Sequence, residues 1–274
     1  MKTILLPTDF SKSSKNAITY AVEIAKRSKS KLILLHTYNI PIVSTDVMVV
    51  PPINEIEKAA VSSLKKMADS LHRSHGNKIP VEFKCMYGTP VESINDFCKK
   101  QKVDLIVMGM QGGGLLTEKL VGSTTTSVMR KVDCPVLCID KSVRFRPTKK
   151  IVLACDLRFI PGAKTFRLLK EYAALFRAGI SVLYVMNEFE TLPKKGEEKI
   201  SIKLKNALSD VKHTFNFVKN NDVIKGINDF AKKQKADMVV MIPHKHDVYE
   251  NIFFEHDSKR MAFHTKLPLL TLLK

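Results

Sequence analysis

Long apolar runs are missing from this chain. None approaches the ~20 residues needed to cross a bilayer. The N-terminal MKTILLPTDF meets Asp9 before a signal-peptide core could form. The expectation is a cytoplasmic protein with no membrane partner. Cysteine is scarce too: five residues, an odd number, with no CxxC. That argues against a disulfide framework or zinc ribbon and leaves buried free thiols as the expectation. No GxxxxGK[ST] occurs, so the phosphate-cradling lysine of that motif is lacking. Glycine is also rare, yet five of the eleven glycines fall between Gly109 and Gly122.

Acidic charge is in deficit, with a formal net charge of +18. Residues 1–140 carry 19 basic against 13 acidic side chains, and residues 151–274 carry 21 against 14. The connector KSVRFRPTKK adds five basic residues. No aromatic residues alternate with the basic ones as stacking platforms would. The excess reads as a solvated basic surface rather than a nucleic-acid groove.

What is present is a sequence written twice. SINDFCKKQKVDLIVMGM (93–110) matches GINDFAKKQKADMVVMIP (226–243) at an offset of 133 residues. KTILLPTDF (2–10) matches KKIVLACDL (149–157) at an offset of 147. The second copy is therefore shorter in its middle. Two tandem domains of one fold follow, 1–141 and 149–274, joined by a linker at 142–148. Each copy alternates short apolar runs with helical patterns. In the first, TILLP, KLILLHTY, VEFKCMY, VDLIVMGM and PVLCID read as strands. Helices are expected after Ser11 or Ser13, from about Glu55 to His75, from Pro90 to Gln101, and from Ser123. Such alternation implies a parallel sheet covered on both faces, an α/β fold of the Rossmann-like kind.

In an open parallel sheet, ligands bind at the carboxyl ends of the strands. Pro7, Thr8 and Asp9 end the first strand, His36 and Thr37 lie at the end of the second, and Met108, Gly109 and Met110 end the fourth. Gly109-x2-Gly112-x9-Gly122-Ser123 then runs into a helix whose first residues are Ser123, Thr124 and Thr125. A bare backbone at Gly109 would let a ligand approach, and Gly112 would serve a tight turn. The helix start supplies unpaired amides, a positive dipole end and hydroxyl donors, which together suit a polyphosphate. Asp9 suits ribose hydroxyls or a base amino group.

Through ILLPTDFS, LILLHTY, DLIVMGMQGGG, the G-x2-G-x9-G-S pattern and CPVLCI, the first copy resembles the universal stress protein domain. The resemblance extends over the whole chain as two tandem domains. It implies a five-stranded parallel sheet of order 3-2-1-4-5, of the adenine nucleotide alpha hydrolase-like type, and ATP binding in members with this glycine pattern. It would put Pro7, Thr8 and Asp9 at the nucleoside and Thr37 at the adenine edge. Met108, Gly109, Met110 and Gly112 would approach the ribose and phosphates, with Gly122, Ser123, Thr124 and Thr125 on the phosphates. AMP and ADP are the other nucleotides implied, and Mg2+ is a candidate companion ion. It also implies pairing of the last strands, CPVLCI with LPLLTLL, as an intrachain pseudo-dimer; a homodimer of chains is the further candidate.

In the second copy Gly109 becomes Ile242, Gly112 becomes Lys245, Gly122 becomes Glu255 and Ser123 becomes His256, while Asp156 still matches Asp9. A carboxylate at 255 would face a phosphate with about 4 kcal/mol of repulsion at 4 Å and an effective dielectric of ~20. Only the first domain is expected to bind nucleotide. His244-x-His246 with His256 and Asp257 reads as a solvated loop rather than a metal site. The functional expectation is an ATP-binding regulatory or stress-response protein that binds without efficient turnover and signals to a protein partner the sequence does not name. The alternatives are a slow ATPase and a ligand-free scaffold with a basic surface.

Overall fold

The computed structural model describes residues 1–39, 53–75, 78–110, 123–156, 160–187, 202–242 and 266–272. The described residues fall into two compact units, the first ending at Cys134 and the second beginning at Pro135.

In the first unit, β1 (Thr3–Pro7), β2 (Lys31–Tyr38), β3 (Val81–Tyr87) and β4 (Leu105–Gly109) lie in the order β3-β2-β1-β4, all parallel. Helices α1 (Lys12–Ser28), α2 (Ile53–His75), α3 (Pro90–Lys100) and α4 (Ser123–Lys131) connect and follow them. Ile4, Leu5 and Leu6 of β1 and Leu32 and Leu34 of β2 are fully buried, because helices cover both faces of the central strands. Helix α1 packs Ala17, Ala21, Ile24 and Ala25 inward at helical spacing. Ser11 caps it by accepting from the Ser14 amide. Its other end turns through Lys29 in the left-handed conformation, with lysine and arginine in the last turn beside the orphan carbonyls. The uniformly apolar strands expected from the sequence are found at the centre only. Edge strand β3 leaves Phe83 and Tyr87 exposed.

The second unit repeats the plan. β6 (Lys150–Ala154), β7 (Gly179–Met186), β8 (His213–Lys219), β9 (Met238–Met241) and β10 (Leu269–Thr271) run in the order β8-β7-β6-β9-β10, again parallel. They alternate with α5 (Arg167–Phe176), helical backbone over 202–207 (α6) and α7 (Val223–Gln234). β5 (Val136–Ile139) belongs to this unit and pairs antiparallel with β10, Leu270 opposite Leu137. Leu269 likewise lies opposite Cys138, and Thr271 opposite Val136.

Register shows how closely the repeat is kept. Ile4 faces Leu105, and Ile151 faces Met238, the same pair at the two offsets. Two acids hold this register. Asp104 Oδ2 accepts from the amides of Lys2 and Thr3, and Asp237 Oδ2 accepts from those of Lys149 and Lys150. Each carboxylate satisfies two donors at the start of a strand.

All five cysteines are free. Burial pushes the thiols of Cys138 and Cys155 up to about 12. Among the described residues, no helix is long and apolar enough to cross a membrane.

Candidate functional site

The carboxyl ends of β1 and β4 meet the first turn of α1, and that of β2 is tied to the turn after β1. Pro7 is the last residue of β1. The Thr8 amide continues the ladder onto the Leu35 carbonyl at 2.8 Å. The buried Thr8 hydroxyl accepts from the Phe10 amide at 3.0 Å and lies 3.1 Å from Ser14 Oγ. Asp9 is exposed at the turn, and its Oδ1 accepts from the Ser11 amide at 3.0 Å. The carboxylate thereby helps orient the residue that caps α1. His36 Nδ1 lies 2.7 Å from the Thr8 carbonyl, which ties the end of β2 to that of β1 and sets the half-buried Thr37 one residue beyond.

Between Asp9 and Ser11 the chain passes through Phe10 at φ 62°. A non-glycine residue there costs about 1–2 kcal/mol. The Phe10 amide bond to Thr8 and the tilted contact of its ring with His36, centroids 4.5 Å apart, hold it in place. His36 stood with Thr37 as a strand-end candidate in the sequence, but Phe10 did not stand out, because its signal is a backbone angle rather than a motif.

Gly109 closes β4 against α1. A Cβ there would lie 2.8 Å from the Ser13 carbonyl carbon and 2.9 Å from its oxygen, distances a real Cβ does not reach. The residue is glycine because helix backbone passes over it. This differs from the sequence-based reason, a bare surface left for a ligand. Met108 and Met110 on either side are buried. The Gly109 carbonyl accepts from the buried Thr125 hydroxyl at 2.9 Å, which fixes the first turn of α4 to the end of β4. That hydroxyl proton is already committed to the strand. Thr124 is half-buried, and α4 begins at Ser123. Thr8, Gly109 and Thr125 are therefore joined through Ser13 and Ser14. Gly112 and Gly122 lie outside the described residues, as do Lys245, Glu255, His256 and the HxH stretch of the second copy.

The corresponding end of the second unit is built differently. The Cys155 amide repeats the ladder bond, onto Leu183 at 3.0 Å, but Asp156 is buried where Asp9 is exposed. Ile242 takes the place of Gly109 and is buried. The helix following β6 opens late, through a 3-10 turn at Ala163–Phe166.

Comparison with known proteins decides the family. The model of the universal stress protein family matches residues 1–140, half of the chain. This chain belongs to the universal stress protein family. A universal stress protein of Methanocaldococcus jannaschii is 32% identical over 146 residues, covering 51% of this chain and 82% of its own. One of Thermus aquaticus is 31% identical over 139 residues, covering 50% of this chain and 98% of its own. The fold of a universal stress protein of Archaeoglobus fulgidus, at 17% identity, superposes with a TM-score of 0.72 over 99% of this chain and 96% of that one. Within this universal stress protein, the curated similarity is confined to about half of the chain, and the fold similarity spans nearly all of it.

Proposed function

We propose that this universal stress protein binds ATP at the strand ends of its first repeat and acts as a nucleotide-dependent regulatory protein without efficient turnover. The observation that carries the reading is the meeting of two strand ends with two helix starts: Thr8 and Gly109 lie against Ser14 and Ser13 of α1, and Thr125 in the first turn of α4 bonds Gly109. Amides at a helix start, with the positive dipole end, favour a phosphate. Asp9, exposed at the same end, is the acceptor for ribose or base. Pro7, Thr37, Met108, Met110 and Gly112 line the nucleoside and ribose side, and Gly122, Ser123 and Thr124 hold the phosphates, with Mg2+ as companion ion. Thr8 and Thr125 act as positioning residues, since their hydroxyls bond the protein itself. Residues 1–141 form the nucleotide-binding domain and 149–274 a degenerate one, joined by 142–148.

Calorimetric titration of the full chain with Mg-ATP tests this. One site per chain is expected, abolished by Gly122→Glu and retained when residues of the second copy are changed. Two equivalent sites, or no heat at all, would overturn it.

A further inference from the structure

The first unit holds a pair of thiols that nucleotide binding does not use. Cys98 lies in the last turn of α3, and Cys134 follows the end of α4. The two helices pack together, and the Cys134 thiol lies beside that of Cys98. Cys134 is buried, and its Sγ donates to the Val103 carbonyl at 3.6 Å. Cys98 is only partly buried. In the second repeat the same positions are Ala231 and Leu267. The fold therefore needs no sulfur at either place to pack.

We propose that Cys98 and Cys134 are a peroxide-reactive dithiol that closes to an intramolecular disulfide within the first unit. Cys98 is the attacking thiol because a peroxide can reach it. Cys134 is the resolving thiol because it touches Cys98 and is shielded. The Cys98 thiolate attacks one peroxide oxygen. The O–O bond breaks, two electrons pass from sulfur to peroxide, and the departing hydroxide takes up the Cys98 proton as water. Cys98 is left as a sulfenic acid. The Cys134 sulfur then attacks the Cys98 sulfur, the S–O bond breaks, and the leaving hydroxide collects the Cys134 proton as a second water. Two thiols and one peroxide give one disulfide and two waters.

The electrostatics favour the same division of roles. The hydrogen bond from Cys134 stabilises the Cys98 thiolate and lowers its pKa against the opposing effect of burial. Cys134, as the donor in that bond and a buried group, is held in its thiol form. When Cys98 ionises, the Cys134 proton turns from the Val103 carbonyl to the new anion. Burial raises the thiols of Cys85, Cys138 and Cys155, so none of these three is favoured to react first.

The full chain treated with hydrogen peroxide should lose two free thiols and yield a Cys98–Cys134 linked peptide under non-reducing digestion, with both changes reversed by dithiothreitol. Cys98→Ala copies the second repeat and should leave the remaining thiols reduced. Cys134→Ser should halt at a sulfenic acid on Cys98 that dimedone captures. Should Cys134→Ser fail to fold, the native chain and Cys98→Ala decide alone. Thiol loss in Cys98→Ala equal to that of the native chain, or oxidation of Cys85, Cys138 or Cys155 ahead of Cys98, would overturn the proposal.

Discussion

The two repeats keep one strand register and build two different strand ends. In the first, glycine at 109 lets α1 begin directly over β4, with Ser13 backbone where a Cβ would have to go. In the second, Ile242 is buried at that position, and 160–162 is not helical. Both helices end in the same way, through Lys29 and Arg177 in the left-handed conformation. The difference is thus local to the helix start. A helix whose first turn sits on a strand end points its positive end there; in the second unit the helix starts later and the strand-end residue is a buried branched side chain. One residue decides whether main chain or side chain occupies the place where ligands bind in this fold class.

The strongest way to break the comparison is to exchange that residue. Gly109→Ile should destabilise the first unit by about 3 kcal/mol, the upper part of the range for overpacking, because the clash is with backbone. Denaturant unfolding, with hydrogen exchange to assign the loss to residues before Cys134, checks it. Ile242→Ala should cost the second unit about 2–3 kcal/mol through the cavity left behind, with nucleotide titration unchanged. If Gly109→Ile were neutral, the close approach of α1 would not be what requires glycine.

Smaller effects sharpen what the repeats share. Asp104→Ala and Asp237→Ala should each cost about 1–2 kcal/mol and by similar amounts, since each removes the acceptor of two amides. Unequal losses in urea unfolding would show that the two acids are not equivalent. Ser11→Ala should cost about 1 kcal/mol by removing the cap of α1. Gly162→Ala should do far less, since no side chain caps the turn it precedes. The smallest effect is in pH. Hydrogen bonding to Lys26, and then to Arg27, holds the Glu23 carboxyl below its ordinary value. Its contribution is present above the unfolded pKa and lost as pH falls through the lower folded one. Glu23→Gln should therefore flatten the acid side of the stability profile slightly and leave neutral pH nearly unchanged beyond the lost surface pair.

The strands, the helices and the repeat were legible because each rests on local pattern: apolar runs, helical spacing, and capping residues such as Ser11. The strand-end position of Pro7, Thr8, Asp9 and Gly109 was legible for the same reason. Asp104 and Asp237 stood in the aligned repeats without attracting attention, because a carboxylate before a strand has no motif until the neighbouring strand is placed beside it. His36 was legible as a strand-end residue, but Phe10 was missed, since its contact joins the turn after β1 to β2.

By itself, the sequence determined the doubled α/β plan, the order of elements and the loss of glycines in the second half, all of which follow from spacing along the chain. Only the tertiary structure decided why position 109 is glycine, that Thr8 and Thr125 spend their hydroxyls on the protein, that β5 pairs with β10, and that Cys98 meets Cys134. Each of these depends on segments remote in the chain coming within a few ångströms. Excluded volume and hydrogen-bond geometry act at that range, and residue order alone does not encode it.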